Sequence, residues 1–562
     1  MTKHFSLSRQ LAQALLLVAG VAASQAHAAK AVPAASAGVA QPKLVVVLVV
    51  DGLPQEQVTR YRDQFGQGGF RRLLEQGAWF SDAHQAHGIT VTAIGHSAVL
   101  SGAYPYQHGV IGNNWIDPVT KKSVYCTEDG NFHYIGEETQ PDDGTSPVKL
   151  RVSTLGDELR YSTGDKAKVV TVSGKDRGAI LLAGKTGTAY MYMEKTGNFA
   201  SSTYYMQQHP QWVQRYQAAR PQDRYYGKSW TPLLADGAYA GDARDDIVPA
   251  KPGTRNTFPF AYYSDSGKLD GEYYSRLKAG PFLDELTLEF ARAAIDGENL
   301  GRNPAGVPDI LGVSLSAHDY VNHAYGPESK MSHDHLQRLD RMLAGFFADL
   351  DKKVGMDNVL VVLTADHGFA NVPEFTEARG GFSAKRIDGA KLVDALNQHL
   401  STTLGVDKLV TVSSLPNIYL DYALAEKSGI QRTALEDAAA RFLLQQDGLA
   451  QVYTRTQMET GVVATRMDTL MRRAWNRQLS GDLMVVTKPA WYFGKGVGGT
   501  SHGTPYTYDT NVPLMVFGPR WIKPGAYGQY AEVVDIAPTL AHLLRVRQPS
   551  ASEGRVLMEV VR

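Results

Sequence analysis

The chain has 562 residues, beyond the length at which one compact core is the default expectation. Lys+Arg and Asp+Glu are equal at 57 each, so charge implies neither a nucleic-acid partner nor a membrane-surface partner. The single cysteine, Cys126, excludes an intramolecular disulfide and reads as a packed residue rather than a nucleophile, leaving the core or bound metals to hold the fold.

In chain order, the first element is a secretory signal peptide over residues 1–28. Lys3, His4 and Arg9 precede an apolar stretch from Leu11 to Ala23, and Ala26-His27-Ala28 offers an A-x-A cleavage pattern. The apolar run is short for a span and carries Gln13, so cleavage is expected over anchoring. The protein is therefore expected in the periplasm or secreted, without stable membrane association. A flexible leader rich in Ala, Pro and Ser follows over 29–42, and 43–562 is the folded part.

Five apolar, β-branched runs predict buried parallel strands: Leu44–Val50, Lys168–Ser173, Asp309–Leu315, Asn358–Leu363 and Pro513–Phe517. Helical stripes lie between them, at Leu155–Tyr161, Phe282–Ile295 and Leu336–Leu350. Strands alternating with helices predict an α/β fold, a mostly parallel central sheet flanked by helices. Two segments, near 185–280 and 375–500, read as insertions forming a cap beside the site. The first is rich in Tyr and Trp. The second carries helices near 390–400 and 434–446 and short strands at 416–422 and 482–487.

Polar residues follow four of the strands: Asp51, Lys175, Asp319, and Asp366 with His367. Ligands in open α/β sheets bind outside the carboxyl ends of the strands, so these side chains are expected on one edge. Asp319 and His323 lie one helical turn apart, and His502 sits in a Ser-His-Gly turn. Asp51, Asp319, Asp366, His323, His367 and His502 make a donor set suited to zinc or a similar ion. Six donors are too many for one tetrahedral ion and enough for two, about 4 Å apart, the arrangement that clamps both oxygens of an in-line phosphoryl displacement. The stretch Thr90-Val91-Thr92-Ala93-Ile94-Gly95-His96 predicts a turn into a short helix with a hydroxyl at its start. Such a threonine is either a helix cap or a nucleophile beside an anion-binding helix N-terminus.

The motifs as a set resemble the alkaline phosphatase superfamily, most closely the phosphate-irrepressible, threonine-nucleophile (PafA-type) alkaline phosphatases. They are Val49-Val50-Asp51-Gly52, Thr90–His96, His108-Gly109-Val110-Ile111-Gly112-Asn113, Gly174-Lys175-Asp176-Arg177, His318–His323, Thr364–Gly368 and Ser501-His502-Gly503. The resemblance runs from about Leu44 to the Val534–Leu540 stretch. It implies an alkaline phosphatase using two Zn2+ per chain on small-molecule phosphate monoesters, through a phosphothreonine. It implies Thr92 as nucleophile, with Thr90 the neighbouring alternative. It places Asp51, Asp366 and His367 on the zinc that activates the nucleophile, and Asp319, His323 and His502 on the second. Asn113, with Asn114 as its alternative, Lys175 and Arg177 would hold the phosphoryl oxygens.

Two other readings share parts of this pattern. A nucleotide pyrophosphatase/phosphodiesterase would share the threonine and the metal ligands, but Lys175-x-Arg177 favours a dianionic monoester. A sulfatase would need a Cys or Ser in a C/S-x-P-x-R motif, which Cys126 in Tyr-Cys-Thr-Glu-Asp lacks. A non-catalytic binding protein on the same fold would be expected to have lost a ligand or the nucleophile.

Overall fold

The computed structural model describes residues 40–243, 249–250 and 255–562, of which Pro42–Arg562 form one unit. The expected signal peptide, 1–28, and residues 29–39 of the expected leader lie outside the described residues. Nine strands build the central sheet. In chain order they are β1 (Leu44–Val50), β2 (Ala78–Phe80), β3 (Val169–Ser173), β4 (Thr188–Tyr192), β5 (Phe199–Ala200), β6 (Asp309–Leu315), β7 (Val359–Thr364), β8 (Leu514–Phe517) and β9 (Gly525–Tyr527). Their spatial order is β9-β2-β8-β7-β1-β6-β3-β4-β5.

The five strands β7-β1-β6-β3-β4 pair in parallel. Every residue of β1 is fully buried, as a Leu/Val run covered on both faces requires. The covering helices follow from the strand order. Helix α2 (Asp176–Ala183) leads from β3 outward to β4. Helix α3 (Pro281–Glu298) returns the chain from that edge to β6, and α5 (Lys330–Val354) carries it on toward β7. Right-handed crossovers in opposite directions put α2 on one face and α3 with α5 on the other.

The last predicted strand needs a correction. Leu514–Phe517 pairs antiparallel to both β7 and β2 rather than parallel. A continuous apolar run reports burial on two faces and carries no direction. The direction is set by the connection: β7 ends at the carboxyl edge, the chain wanders above that edge for residues 365–513, and it re-enters the sheet from there, running back. A second adjustment concerns residues 185–280. Thr188–Tyr192 and Phe199–Ala200 extend the sheet, so the excursion expected there begins only after residue 200. Its Trp212 and Tyr216 pack inward, joining Tyr190 of β4 against the Phe290 ring of α3. Residues 389–487 carry helices Gly389–Leu404 and Arg432–Leu444 and a separate four-stranded antiparallel sheet.

Strand register positions the site. Val50 pairs with Leu315, Val49 with Thr364, and Ser314 with Ser173, so four parallel strands end level with one another. The residues that follow, 51, 175, 319 and 366, therefore emerge along one edge.

Candidate active site

At that edge the structure brings the predicted donors together. Helix α4 (Ala317–Tyr325) presents Asp319 and His323 from successive turns of one face. His323 Nε2 lies 3.5 Å from Asp319 Oδ1, and His502 Nε2 lies 3.6 Å from the same oxygen. His367 Nε2 lies 3.5 Å from Asp51 Oδ1, 3.6 Å from Asp366 Oδ2 and 3.9 Å from Asp319 Oδ1. Two groups of metal-ligand geometry result, Asp319–His323–His502 and Asp51–Asp319–His367. Asp319 belongs to both, so it stands between the two sets that the sequence separates. Asp366 is shared differently, lying 3.1 Å from His96 Nδ1 on the neighbouring helix.

The imidazoles are oriented for ligation. Each engages a backbone carbonyl through Nδ1: His323 with Thr500 O at 2.9 Å, His367 with Gly368 O at 2.9 Å, and His502 with Thr90 O at 2.8 Å. Nδ1 must donate in each case, which leaves Nε2 as a lone-pair acceptor aimed at the carboxylates. His367 Nε2, Asp51 Oδ1 and Asp319 Oδ1 are buried without a hydrogen-bond partner. The spacings of 3.5 and 3.6 Å are close to the roughly 3.3 Å separating donors around a tetrahedral zinc with bonds of about 2.0 Å. Against three buried carboxylates stands the ammonium of Lys175, whose Nζ lies 2.7 Å from Asp51 and 2.5 Å from Asp319. The balance of −3 and +1 leaves −2 in a dry site, a demand that bound cations meet. Burial and the adjacent Asp366 push the Asp51 carboxyl well up. Burial also opposes ionisation of Asp319, but Lys175 and the surrounding imidazoles outweigh it and hold that carboxyl well below the usual range. The residues present thus fit a pair of divalent ions.

Helix α1 (Thr92–Ser101) begins at Thr92, with Val91 as its cap residue and no capping side chain. The cap reading of Thr92 therefore does not apply. Thr90 is committed elsewhere, its hydroxyl donating to Thr504 O at 2.8 Å. The start of α1 is wedged against the Asp366 turn: a Cβ on Gly95 would lie 2.1 Å from Asp366 O, so only glycine permits this approach. Gly52 makes the matching turn after β1 at φ +69°, and its N–H donates to Asp366 Oδ1 at 3.0 Å. Asn113 Oδ1 accepts from Ala93 N at 2.9 Å, placing this amide, and not that of the exposed Asn114, beside the helix start. Arg177 lies on the first turn of α2, where its Nη1 donates to Tyr125 OH at 3.2 Å. Tyr125 in turn donates to Asp176 Oδ1 at 2.7 Å. Tyr320 places its ring 4.9 Å from Lys175 Nζ. Cys126 is buried nearby, its thiol pushed up to about 12 by burial and then by Asp176, as a packed residue should be.

Several supporting residues are given no role by the sequence. His96, Asp176 and Tyr320 lie inside the motifs and Tyr125 outside them, but the partners that give each a role lie far along the chain. Arg386 is the clearest case. It donates through Nη1 to Glu374 at 2.7 Å, through Nη2 to Gly498 O and Gly499 O at 3.1 and 2.7 Å, and through Nε to Tyr492 OH at 2.7 Å. The glycine-rich stretch it grips leads straight into Thr500, which orients His323, and into His502. Arg386→Met should leave this loop unclamped and weaken binding of a divalent ion at Asp319–His323–His502, with Zn2+ as the probe, by roughly 10-fold or more, as loss of groups that orient metal ligands does. Zinc titration against a competing chelator measures it. Unchanged affinity would mean that the loop holds its shape without Arg386.

Buried carboxylates and imidazoles beside a hydroxyl-bearing helix N-terminus, with an arginine next to them, define a class: metal-dependent hydrolases acting on phosphate esters. The comparisons give the family. A model of the type I phosphodiesterase/nucleotide pyrophosphatase family matches residues 45–509, and the chain belongs to that family. It is 35% identical to alkaline phosphatase PhoV of Synechococcus elongatus, covering 93% of this chain and 94% of that one. It is 33% identical to alkaline phosphatase PafA of Elizabethkingia meningoseptica, covering 93% and 95%. The crystal structure of PafA matches with a TM-score of 0.86 over 93% of this chain and all of that one. A chain of Myroides odoratus described as a calcium-transporting ATPase is 34% identical over 94% of this chain and 96% of its own. Among the described residues of the present protein no helix is long and apolar enough to cross a membrane.

Proposed function

We propose that the protein is an exported, zinc-dependent alkaline phosphatase that hydrolyses small-molecule phosphate monoesters through a phosphothreonine at Thr92. One observation carries the reading: three imidazoles, each fixed through Nδ1, aim Nε2 at shared buried carboxylates beside the start of α1. That the chain is a phosphoric monoester hydrolase rests on its full-length likeness to two named alkaline phosphatases. Export rests on the charged, apolar and A-x-A pattern of residues 1–28.

The ions held by the Asp/His set would supply Lewis-acid activation of the Thr92 hydroxyl and charge neutralisation at the ester oxygen. The chain's own groups do the rest. The start of α1 turns the positive end of its dipole toward the phosphoryl group. Asn113 has its oxygen tied to Ala93 N, which turns its NH2 to the opposite side as a donor. Arg177, steadied by Tyr125, offers a planar fork to two non-bridging oxygens, and Lys175 a compact charge. The Thr92 oxygen bonds to phosphorus as the ester bond breaks and the alcohol takes up a proton. Water then attacks the phosphothreonine and returns the hydroxyl. Two in-line inversions give overall retention.

Lys175 and Arg177 favour a doubly charged monoester over a diester. Arg177→Ala removes a charge-assisted contact worth on the order of 1.5–3 kcal/mol, or roughly 10- to 150-fold in kcat/KM. The loss should fall mainly on p-nitrophenyl phosphate and less on bis-p-nitrophenyl phosphate. If the wild type prefers the diester, or both substrates lose equally, the phosphodiesterase reading becomes the better one.

A further inference from the structure

We propose that the cavity walled by His502 and Asn113 receives the alcohol portion of the substrate and selects esters of neutral, apolar or aromatic alcohols over charged ones. The inference rests on the phosphatase reading and deepens it by naming the substrate class. The cavity measures about 290 Å³, close to the lower end of small-molecule sites, roughly 300 Å³. No Asp, Glu, Lys or Arg lines it.

Its position matters first. His502 belongs to the ligand group assigned to the leaving oxygen, and Asn113 to the phosphoryl side. A cavity with both on its wall opens where the alcohol of the ester must lie, away from Thr92. The remaining wall comes from two places. Ile89 and Val91 lead into α1, while Leu415, Val486 and Phe493 come from the 389–493 excursion. The excursion thus forms one side of the substrate's surroundings.

Three of the wall's polar groups are already engaged with their own chain. Asn417 Oδ1 accepts from Gly481 N at 2.9 Å, Thr487 donates to Trp491 O at 2.7 Å, and Tyr492 donates to Gly499 O at 3.1 Å. The wall that results is a near-even mix of aliphatic or aromatic carbon and neutral polar atoms, with no charged side chain. An apolar alcohol entering here gains by leaving water. A second phosphate or a carboxylate would lose its hydration and meet no Lys or Arg in the wall. Discrimination against charged alcohols therefore arises from the lack of a partner as much as from apolar attraction.

The test uses the full mature protein loaded with zinc and three esters of primary alcohols, so that the bond being broken is nearly the same. They are 3-phenylpropyl phosphate, ethyl phosphate and 4-carboxybutyl phosphate. The phenylpropyl ester should exceed the ethyl ester in kcat/KM by about 30-fold, equivalent to about 2 kcal/mol at 1.4 kcal/mol per tenfold. The carboxybutyl ester should fall at or below ethyl. Calorimetric Kd values of the non-hydrolysable 3-phenylpropylphosphonate and ethylphosphonate should follow the same order without any turnover. Phe493→Asp should narrow the phenylpropyl preference; the wild-type ratios stand if that variant fails to fold. Clear turnover with equal kcat/KM for phenylpropyl and ethyl esters, or equal phosphonate affinities, would overturn the pocket and leave the phosphatase reading intact. Absence of turnover on all three would overturn that reading, and the phosphonate affinities would then decide the pocket alone.

Discussion

Thr92→Ala is expected to lower kcat/KM for p-nitrophenyl phosphate by on the order of 10⁴- to 10⁶-fold, the scale on which loss of a nucleophile acts in enzymes that use one. Folding should change little. Thr92 is buried at 1% exposure at the first position of α1, and alanine is at least as good a helix former there. The cost should stay at about 1 kcal/mol, the scale of one buried carbon group, so Tm should move little. In the wild type, acid quenching during turnover should trap phosphate on residue 92, visible by mass spectrometry of the peptide. Thr92→Ser keeps a hydroxyl, primary where threonine's is secondary, and should retain part of the activity. Thr90→Ala serves as the control, because its hydroxyl bonds to Thr504 O and its carbonyl, which orients His502, survives the substitution. That variant should lose stability rather than the phosphoenzyme. Label on residue 90, or wild-type turnover by Thr92→Ala, would remove Thr92 from the chemistry.

The central sheet was legible because its strands announce themselves by composition. Leu44–Val50 and Asp309–Leu315 have the same limits in the structure as in the sequence reading, since both are fully buried apolar runs bounded by polar residues. Pairing direction was not legible. Leu514–Phe517 has the same composition as its parallel neighbours, and only the route of the chain above the carboxyl edge turns it around. Strands of two or three residues, such as Phe199–Ala200 at the edge and Ala78–Phe80 one strand in from the other edge, are too short to show a period. Strands Val410–Ser414 and Leu449–Thr454 were missed because they are partly exposed and mixed in composition.

The candidate site was legible for a different reason. Metal ligands and anion-binding cations are residue types that rarely follow buried strands by accident, and the level register of β1, β3, β6 and β7 brings four of those positions to one edge. What lay hidden was the support. Arg386 grips Gly498 and Gly499 across more than a hundred residues, and Tyr125 reaches Arg177 from a hairpin. Such contacts depend on where loops land, which local pattern does not encode. The division of ligands between two ions was equally hidden, because Asp319 stands within reach of all three imidazoles.

That shared position gives the second large effect. Asp319→Asn should cost more than His323→Ala, although the sequence assigns both to the same ion. Asp319 Oδ1 lies 3.5 Å from His323, 3.6 Å from His502 and 3.9 Å from His367, and Oδ2 holds Lys175 at 2.5 Å. Neutralising this carboxylate weakens both ligand groups at once and frees the lysine to lean on Asp51 alone. His323→Ala removes one donor from one group and leaves Asp51–Asp319–His367 whole. Zinc per chain should therefore fall from about two to about one in His323→Ala and below one in Asp319→Asn, with kcat/KM reduced on the order of 10³-fold or more in the latter, since activation of the nucleophile and neutralisation of the leaving oxygen are lost together. Stability supplies a readout independent of turnover. Ions that bind only the native state stabilise it by RT ln(1 + [L]/Kd), about 2.7 kcal/mol at a hundredfold excess over Kd. Chelation should thus lower the Tm of the wild type clearly, lower that of His323→Ala by less, and hardly move that of Asp319→Asn. Two zinc ions per chain and an undiminished chelation shift in Asp319→Asn would show that the two groups do not depend on a common carboxylate.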